Sequence, residues 1–326
     1  MAVSGTDSTR HWELWALRLS WLAVPLFVGP GLRRALDSLT STPGLILEVA
    51  LWTVWFAGLV ACLTPNPVSL TAVRILAPAT AGFAVIAAVR VGLKPAVVAA
   101  FGYGLVVTAL ALLPSIGDRM VNGSAYGSER RMALRTPAVA FLGPIPLAWM
   151  MVFVGLVGWA VLAAAGLYWL AVPAALVGAA AVWAGFRLLH QLAVRWIVFV
   201  PAGFVIHDPF QLLDPVLVAR AKIRRLGPAE ISDLNQVFDR DRAGDEAEHP
   251  GPPADTEPVT LDLSAGSLGL ALEVESTEAL LFSVRSRNRV EGKKSSKVVF
   301  SPTLPGAVLS EARIRGIRIR GSSGVD

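Results

Sequence analysis

Residues 136–186 read TPAVAFLGPIPLAWMMVFVGLVGWAVLAAAGLYWLAVPAALVGAAAVWAGF, 51 residues without one Asp, Glu, Lys or Arg, bounded by Arg135 and Arg187. A bilayer's hydrocarbon core takes about 20 apolar residues per helix. The run is therefore long enough for two spans and a tight turn. We expect a helical hairpin with spans near residues 145–165 and 167–186, turning at Gly166. Small residues four apart in the second arm, Ala174/Gly178 and Ala181/Gly185, mark a face that another helix can approach closely.

The rest of the composition agrees with a membrane protein, but unevenly. The 326 residues are 54% apolar and 16% charged, with mean hydropathy +0.58. Soluble domains average about 25% charged. Residues 1–186 hold 11 Lys/Arg and 6 Asp/Glu, whereas residues 187–326 hold 18 and 18. The chain thus divides into a membrane region and a tail of ordinary soluble composition. The basic excess sits in the membrane region, where Lys and Arg orient loops, so it does not argue for nucleic acid. Cys62 is the single cysteine, which excludes an intrachain disulfide and a cysteine metal cage.

Taken in order, residues 1–11 read as a flexible polar leader. Four spans follow near 12–32, 45–64, 72–88 and 96–113, completing a transmembrane region over 12–186. The first span requires Arg18 and Arg33 to snorkel toward the headgroups. The alternative for residues 12–32 is an interfacial helix rich in Trp12, Trp15 and Trp21, leaving five spans. The loop at 115–135 carries Arg119, Arg130, Arg131 and Arg135 against Asp118 and Glu129. The outer turn of the hairpin has no charge. By the positive-inside rule the Arg-rich loop and the tail are expected in the cytoplasm.

The tail, residues 187–326, changes character. Short Val/Ile/Leu/Phe-rich runs follow one another at 195–200, 203–208, 212–219, 221–226, 258–263, 268–274, 279–284 and 297–300. Pro215 makes the third an edge or bulged strand. Residues 239–257 are acidic and proline-rich, the composition of a disordered insertion. A closing helix is expected over 305–317, with Val308, Leu309, Ala312 and Ile314 on its apolar face. The fold class is an α-helical transmembrane bundle of about six spans plus a cytoplasmic, mostly-β domain.

A string of short strands closed by one C-terminal helix, with the ending Ser301-Pro-Thr-Leu-Pro-Gly-Ala-Val-Leu-Ser-Glu-Ala-Arg-Ile-Arg-Gly, resembles the bacterial pleckstrin-homology-like domain. The resemblance covers about the last 120 residues and none of the spans. It implies a module attached to a bacterial inner membrane, with no catalytic motif. The chain departs from that family in its eight strand-like runs, where seven are expected, and in the acidic insertion.

Three charge clusters are candidates for function. Arg285, Arg287, Arg289, Lys293, Lys294 and Lys297, opposed by Glu291, form one. Strand alternation would put the three arginines on one face, as a contact for anionic lipid headgroups or an acidic partner, or simply as a solvated hairpin. Arg130, Arg131 and Arg135, with Arg187 and Arg195, flank the inner ends of the hairpin. They read as topology anchors, or as contacts for lipid or a partner. Glu48, Arg18 and Arg74 lie near span ends, and an interhelical ion pair or a polar path could join them. His11, His190, His207 and His249 stand apart, with no metal-ligand spacing. His207-Asp208 reads as a strand end.

These features exclude no class outright, but they order the choices. First is a non-enzymatic membrane-anchored interaction or regulatory module. Its tail would engage lipid headgroups or a protein partner of the membrane or cytoplasm. Second is a transporter or channel subunit. Third is a lipid-directed enzyme using Arg130 and Arg131 on phosphate, with Glu48 or His190 as base. No catalytic set, cofactor motif or metal site is read from the sequence.

Overall fold

The computed structural model describes residues 11–36, 41–229, 260–286 and 289–320. The leader at 1–10 and the acidic insertion at 239–257 lie outside the described residues. The chain forms two compact units: Met1–Ser124 with Gly143–Ala193, and Ala125–Leu142 with Val194–Asp326.

The first unit is helical. Its elements are α1 (His11–Phe27), α2 (Gly29–Leu36), α3 (Ser41–Leu63), α4 (Pro67–Val91), α5 (Pro95–Leu112), α6 (Pro114–Asn122), α8 (Pro144–Ala164) and α9 (Tyr168–Ala193). Among the described residues six stretches are long and apolar enough to cross a membrane: Trp12–Leu36, Gly44–Leu63, Pro67–Val91, Pro95–Leu112, Pro144–Ala163 and Tyr168–Ala193. Prolines at the first turns of α4, α5 and α8 set their starts, where no N–H is needed.

The first stretch is packed into this unit. Leu17 and Trp21 of α1 are 0% and 1% exposed. Trp21 and Trp55 exchange indole-to-carbonyl hydrogen bonds at 2.9 and 3.1 Å, and the Tyr103 hydroxyl donates to the Ser20 carbonyl at 2.7 Å. Each of these ring N–H and O–H groups thereby finds an acceptor.

The α8–α9 hairpin turns at Gly166, whose φ of +75° suits glycine. Its two arms meet through glycines. A Cβ on Gly178 would sit 2.5 Å from the Gly155 carbonyl oxygen, and one on Gly185 would sit 2.7 Å from that of Ala148. The small-residue face expected on the second arm is thus a backbone-to-backbone contact. The arm also continues past 186: α9 runs through Arg187 and His190 to Ala193.

The second unit is a two-sheet β structure. Its first strand does not come from the tail. β1 (Arg130–Ala133) lies in the loop between α6 and α8, followed by the short α7 (Ala138–Leu142). The tail supplies β2 (Trp196–Val200), β3 (Gly203–His207), β4 (Val216–Ala219), β5 (Ile223–Pro228), β6 (Thr260–Asp262), β7 (Leu272–Ser286), β8 (Arg289–Phe300) and α10 (Pro305–Ile314). One sheet has the antiparallel order β1-β2-β3-β4 and the other the order β5-β7-β8-β6, with β6 parallel to β8. The runs expected at 268–274 and 279–284 belong to one irregular strand, β7, which brings the tail's strands to seven among the described residues. β4 follows Pro215 and lies at a sheet edge, as expected.

One core joins both sheets and α10. It includes Met132 and Leu134 from the loop segment, Phe199, Phe204, Phe282 and Phe300 from the tail strands, and Val308 and Ala312 from α10. Burying each such side chain is worth about 1.5–3 kcal/mol. On α10 the apolar face is narrower than the sequence suggests, because Ile314 is 73% exposed.

Candidate functional site

The arginines flanking the hairpin divide between the units. Arg187 lies on α9, with its guanidinium over the Trp183 ring at 5.5 Å. The other four belong to the β unit. β1 pairs with β2 in the register Arg130↔Phe199 and Arg131↔Val198. Arg131 meets Glu129 at 3.4 Å and covers the Trp196 ring at 5.4 Å, while Trp196 stacks on His207 at 5.2 Å. Arg135 donates from Nε to the Pro302 carbonyl at 3.0 Å and from Nη1 to the Leu268 carbonyl at 2.7 Å.

Arg195 was expected among the contact residues, but it is buried. It is 1% exposed and makes a forked ion pair with Asp208. That pairing removes it from any lipid or partner surface. It also accounts for Asp208, which serves Arg195 while His207 ends β3 and shares its Nδ1 with the Val194 carbonyl at 2.9 Å.

The second basic cluster is divided between β7 and β8. β7 ends at Ser286 and β8 begins at Arg289, so Arg285 pairs with Val290 and Arg289 with Ser286. Arg285 and Arg289 therefore lie on different strands, so alternation along one strand does not relate them. Arg287 lies outside the described residues. Directly opposed residues share a sheet face. Phe282 and Val284 face the core, so the other face presents Leu281, Ser283 and Arg285 beside Lys294, Gly292 and Val290. On that face Leu281 and Val290 are 61% and 55% exposed. Among the described residues, neither Arg285 nor Lys294 has a carboxylate partner. Lys293 lies 3.8 Å from Glu291, and Lys297 is opposite Glu275.

A third basic site was not read from the sequence. A cleft of about 390 Å³ is lined by Arg220, Arg224 and Arg318 together with Thr277 and Gly316. Arg220 belongs to the 3₁₀ turn Arg220–Lys222, and Arg318 follows α10. The register between β5 and β7 shifts from Ile223↔Ser276 to Arg225↔Glu275, leaving Arg224 as the extra residue of a bulge. Neighbouring side chains of a regular strand point to opposite faces, but here Arg224 and Arg225 both reach the carboxylate of Glu275, Arg224 at 3.0 Å. The signal available in sequence was weak: isolated arginines almost 100 positions apart.

Among the described residues of the helical unit, Glu48 makes no ion pair with Arg18 or Arg74. Arg18 donates from Nε to the Cys62 carbonyl at 3.1 Å, and Arg74 lies against Gly117. Thr71 and His190 share a hydrogen bond of 3.0 Å. Arg130 and Arg131 lie in one unit and Glu48 and His190 in the other. No group of three His, Cys, Asp or Glu that could hold a metal occurs among the described residues.

Comparison with protein-family models, curated proteins and solved structures finds no match.

Proposed function

We propose that this protein is a membrane-anchored interaction module, without catalysis of its own, whose β unit docks on an anionic lipid surface. The observation that carries the reading is the outer face of the β7–β8 hairpin. Arg285 and Lys294 stand there beside exposed Leu281 and Val290. A basic residue near an anionic leaflet gains about 1 kcal/mol, and an apolar side chain pressed into the interface adds to this. Cations and apolar groups on one strand face suit a charged interface better than bulk water.

In this reading the six apolar helices cross a bacterial cell membrane and the β unit is cytoplasmic, as Arg119, Arg130, Arg131 and Arg135 between the fourth and fifth spans suggest. The β unit is pleckstrin-homology-like. Seven tail strands among the described residues, followed by α10, support that relation, while the parallel pairing of β6 and the strand taken from the loop depart from it. The helical unit gives less support to transport. It has a cavity of about 280 Å³ between α3, α4 and α8, lined by Val54, Pro78, Phe83, Trp149 and Phe153 among others, and no charged side chain faces it.

The test uses the intact chain with Cys62→Ala and Ser283→Cys, labelled with a polarity-sensitive dye, in nanodiscs. Emission shifts to the blue in discs with phosphatidylglycerol but not in pure phosphatidylcholine, and Arg285→Ala with Lys294→Ala removes the shift. Equal emission in both lipids, or a shift that survives the two substitutions, sinks the lipid reading. A protein that co-purifies only when both cations are present replaces it with a protein partner.

A further inference from the structure

We propose that the cleft between the Arg220–Lys222 turn, the β5 bulge and the segment after α10 binds a phosphate monoester. Among the described residues, three guanidinium groups line it and no carboxylate does. Among the described residues, the side chains of Arg220 and Arg318 make no hydrogen bond or ion pair. Arg224 shares Glu275 with Arg225, so two cations meet one carboxylate and positive charge remains in surplus. Guanidinium is the side chain suited to a tetrahedral oxyanion, because its fork gives two parallel N–H donors. A phosphate monoester brings about −1.5 to −2 charges, which three arginines match and which a carboxylate ligand would not.

Arg220, Arg224 and Arg318 are exposed, and a bulge and a glycine shape the wall from which they project. The bulge turns Arg224 to the side that Arg225 occupies. Gly316 has φ +68°, and a Cβ there would lie 2.8 Å from Nη2 of Arg220. A glycine at this position therefore lets Arg220 lie over the backbone. Ile317, 6% exposed, anchors that wall in the core. Thr277 adds a hydroxyl whose present bond, to the Lys222 carbonyl, is long at 3.3 Å. The volume, about 390 Å³, falls in the range of roughly 300–1,000 Å³ typical of small-molecule sites. It holds a phosphate with an organic body, from a lipid headgroup or from a free phosphorylated metabolite.

This site is independent of the hairpin face. Thr277 and Arg285 are eight positions apart on β7, and the regular part from Leu280 to Arg285 alone spans roughly 17 Å at 3.3 Å per residue.

The experiment uses the full chain in phosphatidylcholine nanodiscs. Calorimetry with glycerol 3-phosphate tests the free source, and native mass spectrometry of discs containing phosphatidic acid tests the headgroup. At least one probe binds, and Arg220→Ala with Arg318→Ala weakens it tenfold or more at unchanged melting temperature. Gly316→Ala, which crowds Arg220, also weakens it. Arg220→Lys with Arg318→Lys keeps the charge, loses the fork and gives an intermediate loss. Binding of neither probe, or equal binding by wild type and the double alanine variant, overturns the site. The dye at position 283 keeps its response in the Arg220/Arg318 variant, so failure here and failure of the hairpin reading are told apart.

Discussion

Arg195 and Asp208 meet inside the β unit through two parallel bonds, Nε to Oδ1 at 2.7 Å and Nη2 to Oδ2 at 2.6 Å, with each residue 1% exposed. Nη1 of Arg195 donates to the Arg135 carbonyl at 2.8 Å, and Oδ1 of Asp208 accepts the Phe210 N–H at 3.1 Å. The pair ties the start of β2 to the end of β3 and to the segment that supplies β1.

Removing one partner of a buried pair leaves the other charge uncompensated, at a cost of about 3–5 kcal/mol. Asp208→Ala should therefore lower the melting temperature of the detergent-solubilised protein and open the β unit to trypsin. Asp208→Leu with Arg195→Leu should lose less than the two single changes added together, because neither charge then remains buried. A wild-type melting curve for Asp208→Ala would show that the pair does not hold these strands.

The close approach of α8 and α9 makes a second prediction. A side chain at Gly178 must displace the Gly155 backbone, since even a Cβ would fall 2.5 Å from its carbonyl oxygen. Overpacking of this kind costs about 1–3 kcal/mol. Gly178→Leu should destabilise the protein in detergent, whereas Gly102→Leu, where nothing lies within 4 Å, should be tolerated. Equal thermal stability of the two variants would contradict the packing of the hairpin.

The two-segment β unit predicts how fragments behave. Residues 188–326 alone lack β1, so β2 keeps an unpaired edge and the core loses Met132 and Leu134. Open edges pair with other chains. That fragment should aggregate or give poorly dispersed amide resonances. Joining residues 125–142 to it through a flexible linker should restore a monomer with dispersed resonances. A well-folded monomer without residues 125–142 would mean that β1 is dispensable.

The helical unit was legible because charge is expensive in a bilayer, so the absence of charge over 136–186 has one economical explanation. Proline and glycine then placed the ends. The end of α9 was misjudged at Arg187, since an arginine near a helix C-terminus can reach outward while the backbone stays helical. β1 was hidden for a different reason. It is only four residues long, and its charges suited a topology loop equally well. The one trace was alternation, with Met132 and Leu134 buried between Arg131, Ala133 and Arg135. The arginine cleft shows the limit most clearly: the dense cluster at 285–297 is contiguous in sequence but divided between β7 and β8, whereas Arg220, Arg224 and Arg318 are scattered and come together only through a bulge and the end of α10.

Orientation gives the last prediction. With six spans, the proposed orientation would put residue 124 and the N-terminus on the inner side and the turn after α8 on the outer side. With Cys62, which is buried, changed to Ala, single cysteines at Ser124 and Leu167 report on this directly. Both positions are exposed in the helical unit. In intact cells a membrane-impermeant maleimide should label Leu167→Cys and spare Ser124→Cys until the cells are opened. Labelling of Ser124→Cys from outside would invert the topology and put the β unit on the far side, where a cytoplasmic leaflet could no longer be its docking surface.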